Sequence, residues 1–503
     1  MEITIKKGKI EREKTEVIAV GCFEGELKSM PEETAAVDRA LKGQIRDVVR
    51  SGEFKGKANQ VLMLHVRGEL PAKRVLLVGF GKSRDLSLET IRQAMGTAAR
   101  AVRDSGLKAF SAPLYGRGRK KIPTGDSAQA VTEGCILGLY RFDDYRSGKN
   151  KNGIIKNLTL VDRGPGKTGD AEAGIRLGQV LAEATNYVRD LCNHPANVVT
   201  PTRLAEEARK IAREPGLSLR IIEREEAESL RMGAFLGVAR GSQEPPKFIV
   251  LEYNNGKKKG PPVALVGKGV TFDSGGISLK PALNMETMKT DMSGGAAVLG
   301  AMRAVARLKL PGRIVGIVPA TENMPSGRAI KPGDILKTMA GKTVEVVNTD
   351  AEGRLILADA LAFAKGYKPS AIIDLATLTG ACVVALGNHA TGAMGNNAKL
   401  IEEIKKAGEA CGERVWELPL WPEYHEQIKS DVADIRNVGV NGAGAITGAA
   451  FPENFVGDFP WVHLDIAGSS RSDQNRPYAP KGSTGVGVRL LIQWLKDRRR
   501  GRA

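Results

Sequence analysis

Asn348-Thr349-Asp350-Ala351-Glu352-Gly353-Arg354-Leu355 is the stretch from which the rest of the chain can be read. Two carboxylates stand two positions apart, and an arginine follows two residues after the second. The run Thr343-Val344-Glu345-Val346-Val347 before it suits a β-strand, and Leu355 to Lys365 after it has the apolar spacing of a helix. That order predicts acid, acid and base at the C-terminal end of a strand, the edge at which open α/β sheets hold ligands. It also predicts Arg354 in the first turn of a helix, where unpaired N–H groups and the helix dipole favour an anion. Hard oxygen ligands beside an anion pocket read as a metal site with a bound anionic reactant. The plainer alternative is a polar loop that caps a helix.

A second segment favours the metal reading. Val263 to Val266 is a short apolar run bounded by proline and glycine, as expected of a strand buried on both faces. It leads into Lys268, then Asp273-Ser274-Gly275-Gly276, then Lys280, and after a further loop Met288-Lys289-Thr290-Asp291-Met292-Ser293-Gly294-Gly295. The glycines let the backbone turn tightly and approach a ligand. Four carboxylates (Asp273, Asp291, Asp350, Glu352) thus accompany three cations (Lys268, Lys280, Arg354) in glycine-rich turns. Four exceed the need of one ion and fit a two-metal site, which activates a water and polarises a carbonyl or phosphoryl oxygen. This argues for metal-assisted hydrolysis and leaves peptide and phosphoester substrates open. None of the five histidines (His65, His194, His389, His425, His463) forms a His-x-x-x-His pair, which excludes a helix-borne zinc protease site. Ser274 lacks the Gly-x-Ser-x-Gly turn of a serine nucleophile and reads as a loop residue.

The octapeptide resembles that of the leucyl (cytosol) aminopeptidases, the M17 family of metallopeptidases. The segments around Lys268, Asp273 and Asp291 are similar to that family too, as are Asn186 to Leu191, Asn193 to Asn197 and Val462 to Gly468, over roughly residues 175–495. The resemblance implies one metal position held by Lys268, Asp273, Asp291 and Glu352, and another held by Asp273, Asp350 and Glu352. Mn²⁺ or Zn²⁺ would be the ions, with Co²⁺ and Mg²⁺ as further candidates. It implies that Lys280 holds the scissile carbonyl oxygen, and that Arg354 holds a bicarbonate acting as general base. Met288, Thr377 and Thr379 would line a pocket for an apolar N-terminal side chain, methionine being adaptable. Gly448 and Pro452 depart from the family pattern of a neighbouring pocket segment. The implied activity is release of N-terminal residues, leucine and other apolar ones by preference, from peptide substrates by a homohexamer with sites facing an interior cavity.

At 503 residues the chain is too long for one core. Its hydrophobic fraction of 42% is that of a globular protein, and no apolar run is long enough to span a membrane. The start, Met1 to Lys7, alternates like a strand and lacks a signal-peptide core. Five scattered cysteines show no zinc spacing and read as reduced thiols, which points to the cytoplasm. The net charge is +18, and residues 1–165 hold 31 Lys+Arg against 20 Asp+Glu. Basic clusters lie at Arg117 to Lys121, Lys257 to Lys259 and Arg498 to Arg502. They keep nucleic acid as a secondary partner, and a DNA-binding or regulatory protein, with or without peptidase activity, as the alternative function. No helix-turn-helix, RNA-recognition or zinc-finger pattern accompanies them.

The expected fold is α/β: two α/β domains, a smaller N-terminal one (1–165) and a larger catalytic one (191–503) with a mostly parallel central sheet between helices. Residues 166–190 form the linker and connecting helix. In the first domain Val17 to Val20, Arg74 to Gly79 and Leu158 to Val161 read as strands. Leu88 to Val102 and Ala128 to Arg141 read as helices, and Ser147 to Gly153 as a polar loop. In the second, strands are expected at Phe248 to Leu251, Val263 to Val266, Arg313 to Val318, Thr343 to Val347, Ala371 to Leu375 and Trp461 to Ile466, with a helix from Ala296 to Leu308.

Overall fold

The computed structural model describes residues 1–25, 30–116, 122–148, 154–256, 260–499 and 501. The clusters Arg117 to Lys121 and Lys257 to Lys259 lie outside them, as do Arg500, Arg502 and the end of the Ser147 to Gly153 loop. The chain divides into two compact units. One comprises Met1–Glu183 with Gln474–Lys481, the other Ala184–Asp473 with Gly482–Ala503.

The first unit is a six-stranded sheet, β1 (Glu2–Lys7), β2 (Val17–Cys22), β3 (Val61–His65), β4 (Arg74–Gly79), β5 (Ala109–Pro113) and β6 (Asn157–Asp162), in the order β1-β6-β5-β2-β4-β3. Only β3, at the edge, runs antiparallel to its neighbour. Alternation along β2 sends its side chains to two cores. Ile18 and Val20 pack with Val37 and Leu41 around α1 (Glu32–Ala40), beside α2 (Gln44–Arg50). Val17 and Ala19 share a core with residues of α3 (Leu88–Asp104) and α4 (Thr124–Gly138) on the opposite face. The two latter helices approach closely because glycines face each other: a Cβ on Gly138 would lie 2.7 Å from the Gly96 Cα. Ser87 caps α3 by accepting from Thr90 N, and Thr90 reciprocates. Helix α5 (Gly169–Asn193) leads from the first unit into the second.

In the second unit the helices α6 (Pro201–Ile211), α7 (Arg224–Ser229) and α8 (Gly233–Ala239) accompany β7 (Leu217–Ile222) and β8 (Lys247–Asn254). Then come β9 (Val263–Gly267), β10 (Gly269–Asp273), α9 (Ser293–Arg307) and β11 (Arg313–Asn323). After the short β12 (Ile335–Lys337) and β13 (Thr343–Glu345) follow α10 (Glu352–Lys365), β14 (Ala371–Ala376), α11 (Gly380–Leu386), β15 (Thr391–Gly395), α12 (Ala398–Cys411) and β16 (Val415–Glu417). The chain closes with α13 (Pro422–Glu426), β17 (Ile435–Arg436), α14 (Gly444–Glu453), β18 (Trp461–Asp465) and α15 (Val488–Arg499), apart from a two-stranded ribbon near residue 472. The main sheet runs β16-β15-β18-β14-β9-β11-β8-β7, with β10 also paired to β11. Its centre, β18-β14-β9-β11, is parallel, and antiparallel pairs flank it. Strands β9, β14 and β18 are buried from end to end, which is why they read as unbroken apolar runs.

One expectation is corrected. Thr343 to Val347 does not enter this sheet. Only Thr343–Glu345 is a strand, and it belongs to a separate three-stranded sheet, β12-β13-β17. Its half-buried, buried, half-buried alternation is that of a strand with one wet face, not of a central parallel strand. Among the described residues no helix is long and apolar enough to cross a membrane.

Candidate metal centre

Three chain segments converge at the C-terminal end of β9. The strand runs straight into Lys268, whose N–H donates to Leu375 O at 3.0 Å. The small residues opening α9 let that helix press on the strand end: a Cβ on Gly294 would fall 2.0 Å from Leu375 O. Across from it the first turn of α10 brings Glu352 and Arg354. Gly353 lies between them, where a Cβ would meet Lys268 Nζ at 2.7 Å. The backbone at 353 therefore passes directly over the lysine head group.

The structure brings all four carboxylates and both lysines together. Lys268 Nζ donates to Asp291 Oδ1 at 2.8 Å, lies 2.8 Å from Glu352 Oε1, and also donates to Thr377 O at 3.1 Å. Lys280 Nζ lies 2.9 Å from Asp273 Oδ2 and 2.5 Å from Asp350 Oδ1. Ligand oxygens of Asp273, Asp350 and Glu352 come within 4.8 Å of one another, the spacing of a group able to hold a cation. Lys268, Asp273, Asp291 and Glu352 are buried, whereas Lys280 and Asp350 form the half-buried outer side.

Burial and mutual repulsion shape the protonation of this cluster. Burial first, then the charge of Asp273, push Glu352 up to about 8. Burial likewise pushes Asp291 up to about 6, against the pull of Lys268. Asp350 is also raised by burial. Burial favours the neutral amine of Lys268, but Asp291, Glu352 and Asp273 outweigh it and hold its ammonium above the usual lysine range. A bound dication would invert this balance, stabilising the carboxylates and releasing the lysine proton. Glu352 Oε2 is buried and has no hydrogen-bond partner among the described residues. A set of four carboxylates with an orphaned buried oxygen fits divalent ions well, since such an oxygen is costly unless something coordinates it.

The remaining expected residues take more varied places. Arg354 is buried in the first turn of α10 and donates from Nη1 to Asn437 O at 2.6 Å. Its Nε is buried without a partner among the described residues, and burial lowers the guanidinium to about 10. Thr377 Oγ1 donates to Asp291 Oδ1 at 2.7 Å, so its hydroxyl orients a carboxylate of the cluster. Thr379 caps α11 and donates to Asp465 Oδ2 at 2.7 Å. Met288 is half-buried in the 3₁₀ turn Met285–Thr290, and its carbonyl accepts from Asp291 N at 3.2 Å. The unusual Gly448, in α14, lies where a Cβ would meet Thr379 Cγ2 at 2.9 Å and Arg354 Nη2 at 3.6 Å. Its lack of a side chain makes room for both.

Sequence reasoning missed the residues that hold the loops. Asn323, at the end of β11, donates to Asp273 Oδ1 at 2.8 Å and to Thr349 O at 3.0 Å, joining the two acidic segments. Asn437 donates to Asn348 O at 2.7 Å and accepts from Val347 N at 2.8 Å, fixing the octapeptide. Both are single asparagines with no local pattern. Asp465, at the end of β18, accepts from Thr379 Oγ1 and Leu378 N. His463 is a core histidine: its Nδ1 lies 2.6 Å from Asp374 Oδ1, whose other oxygen accepts from Trp461 Nε1.

Both units of the chain resemble known proteins. The model of the cytosol aminopeptidase family's catalytic domain matches residues 186–492, and that of its N-terminal domain matches residues 19–149. A probable cytosol aminopeptidase of Geobacter sp. (strain M21) is 49% identical over 487 residues, covering 96% of this chain and 97% of its own. That of Alkaliphilus metalliredigens is 43% identical over 499 residues, 99% of each. Among solved structures, a mutant tomato leucine aminopeptidase aligns with a TM-score of 0.89 at 37% identity, over 98% of this chain and 96% of that one. A bottromycin maturation enzyme in complex with Mn aligns with a TM-score of 0.84 at 34% identity, over 96% and 99%. With both of its domains matched and its acidic centre assembled from the matched segments, the chain belongs to the cytosol aminopeptidase family.

Proposed function

We propose that the chain is a two-metal aminopeptidase that releases N-terminal residues, apolar ones by preference, from peptides. The observation that carries this reading is the clustering of Lys268, Asp273, Asp291, Asp350 and Glu352, with Glu352 Oε2 buried and lacking a hydrogen-bond partner among the described residues. Lys268, Asp273, Asp291 and Glu352 would hold one ion, and Asp273, Asp350 and Glu352 the other, with Asp273 and Glu352 shared. Bound there, two divalent ions such as Mn²⁺ or Zn²⁺ would lower the pKa of a water and polarise the scissile carbonyl.

The chain's own groups supply the rest. Lys268 would coordinate as the neutral amine, its proton displaced by the ion. Lys280, on the outer side of the cluster, is positioned to turn from Asp273 and Asp350 toward the carbonyl oxygen once those carboxylates are engaged, and to stabilise the oxyanion. Arg354 would hold a bicarbonate at the start of α10 as general base toward the attacking water, with its unpartnered Nε as a donor. Met288 with the methyl groups of Thr377 and Thr379 would receive the N-terminal side chain, since both hydroxyls are engaged elsewhere. We place the enzyme in the cytoplasm as a homohexamer, following the family.

Metal counting tests the site directly. After dialysis against Mn²⁺ or Zn²⁺, elemental analysis should return two ions per wild-type chain and fewer in Asp273→Asn, which alters a shared ligand. One ion per wild-type chain would contradict the two-metal reading.

A further inference from the structure

Apolar packing does little to hold the loop that carries Lys280. Its large apolar side chains, Ile277, Leu279 and Leu283, are all exposed. Polar contacts hold it instead. At its start, Ser274 donates to Asn323 O from both N and Oγ, at 3.0 and 2.7 Å. Lys280 N closes a local turn by donating to Ser274 O at 2.9 Å. Between these points the loop is tied to Thr349 of the octapeptide. The Thr349 hydroxyl donates to Gly275 O at 2.6 Å and accepts from Ser278 N at 2.8 Å. The Thr349 N–H donates to Ser278 Oγ at 3.1 Å, and its carbonyl accepts from Asn323 Nδ2 at 3.0 Å. Thr349 is fully buried, and Gly276 makes room for it: a Cβ there would lie 3.0 Å from its Oγ1.

These bonds have a positional consequence. Thr349 grips the loop at residues 275 and 278, and Lys280 follows two residues on. The residue after Thr349 is Asp350, whose Oδ1 lies 2.5 Å from Lys280 Nζ, while Asp273 Oδ2 lies 2.9 Å away on the other side. One hydroxyl thus sets the register between the segment that offers Asp350 and the loop that offers the ammonium. Valine at 349 would have nearly the same shape, yet it would leave the buried Gly275 carbonyl without this donor and Ser278 N–H without this acceptor.

We propose that Thr349 is a positioning residue for the peptidase reaction: through its hydroxyl it sets Lys280 where the scissile carbonyl oxygen is to be held. This rests on the reading of Lys280 as the oxyanion donor. The test is steady-state kinetics of the Mn²⁺-loaded full chain on leucine p-nitroanilide, with metal content measured on the same samples. Thr349→Val should lower kcat by about ten- to a hundredfold, the cost of misplacing such a group by up to about 1 Å, with KM within about twofold and metal content unchanged. Thr349→Ser keeps the hydroxyl and should recover most of the loss. In a Lys280→Ala background, Thr349→Val should cost less than about a further twofold, because its effect passes through a lysine already removed. Hydrogen exchange of the metal-free chain adds a readout apart from activity: amides of residues 275–280 should exchange faster in Thr349→Val than in wild type or Thr349→Ser.

Wild-type kcat or unchanged exchange in Thr349→Val would overturn the proposal. So would an equal fold-loss with and without Lys280. Loss of metal together with activity would overturn it too, since Thr349 would then serve Asp350 rather than Lys280. Ser278→Ala removes only the acceptor of the Thr349 N–H and takes the place of Thr349→Val if that variant fails to fold. It should show a smaller loss with the same dependence on Lys280, and no loss would count against the proposal. A Lys280→Ala chain with wild-type kcat would instead strike the reading of Lys280, and this inference with it.

Discussion

Gly353→Ala is the substitution that separates the chemistry of the site from its stability. The new Cβ would lie 2.6 Å from Lys268 Cε and 2.7 Å from Nζ, whereas carbon contacts normally settle at about 3.5–4.0 Å. The lysine head must therefore retreat by about 1 Å, and it is buried beneath the turn with little room to do so. Overpacking of this kind costs about 1–3 kcal/mol. Alanine in place of glycine inside α10 returns about 1 kcal/mol through helix propensity, so the net loss of stability should stay below about 2 kcal/mol. Function should suffer far more. Lys268 sits within 2.8 Å of both Asp291 and Glu352, and a displacement of about 1 Å in such a group lowers rates about a hundredfold. The assay is kcat/KM on an amino-acid anilide alongside a thermal melt and metal content. A variant that melts within a few degrees of wild type but has lost about two orders of magnitude in kcat/KM matches the reasoning. A variant with wild-type kcat/KM would refute it, since the lysine would then not be needed where the structure puts it.

Other perturbations sort the remaining roles. Glu352→Ala removes a shared ligand and should abolish activity together with bound metal, read by activity and elemental analysis on the same sample. Lys280→Ala should lower kcat by about two to three orders of magnitude, as loss of an oxyanion donor does, while metal content stays at the wild-type level. Arg354→Ala should cost less than either, because the metal ligands and Lys280 remain. A loss as complete as that of Glu352→Ala would contradict that ranking. The metal-free chain should lose stability as pH rises: Asp291, Glu352 and, away from the cluster, the buried Asp359 of α10, which accepts from Phe235 N and Met339 N, are held by burial at about 6, 8 and 7, above their unfolded values. The folded state then binds more protons than the unfolded one, so their stabilising contribution is complete below about 4 and is lost by about 8. Melting temperatures across that window should fall, and added Mn²⁺ should restore stability with release of protons, seen as a buffer-dependent binding enthalpy.

Much of this was legible in the chain because the site is local in sequence. The octapeptide states its own geometry: Glu352 and Arg354 share the first turn of α10, as the residues that follow predict. Val263 to Val266 announced a buried strand, and Lys268 follows its end directly, whereas Asp273 closes the next strand, β10. Thr343 to Val347 misled because its β-branched run was placed among the strands of the main sheet, whereas only three residues pair, in a small separate sheet. The strands Val61–His65 and Ala109–Pro113 passed unread: one is an edge strand, and the other is five residues closing on a proline, so neither has a period long enough to register. Asn323 and Asn437 could not be found this way. Each acts by bridging segments distant in sequence, and an isolated asparagine carries no sign of that. Thr377 and Thr379 were expected in a pocket wall, and the structure adds what their hydroxyls hold.

Hydrolysis of leucine p-nitroanilide is the measurement that bears most directly on the central claim. The purified chain would be assayed after chelation, after return of Mn²⁺, Zn²⁺ or Co²⁺, and against N-acetyl-leucine p-nitroanilide as the blocked control. The account predicts no activity without metal, activity restored by at least one of these ions, and none on the blocked substrate. Activity that survives chelation, or equal cleavage of the acetylated substrate, would contradict it.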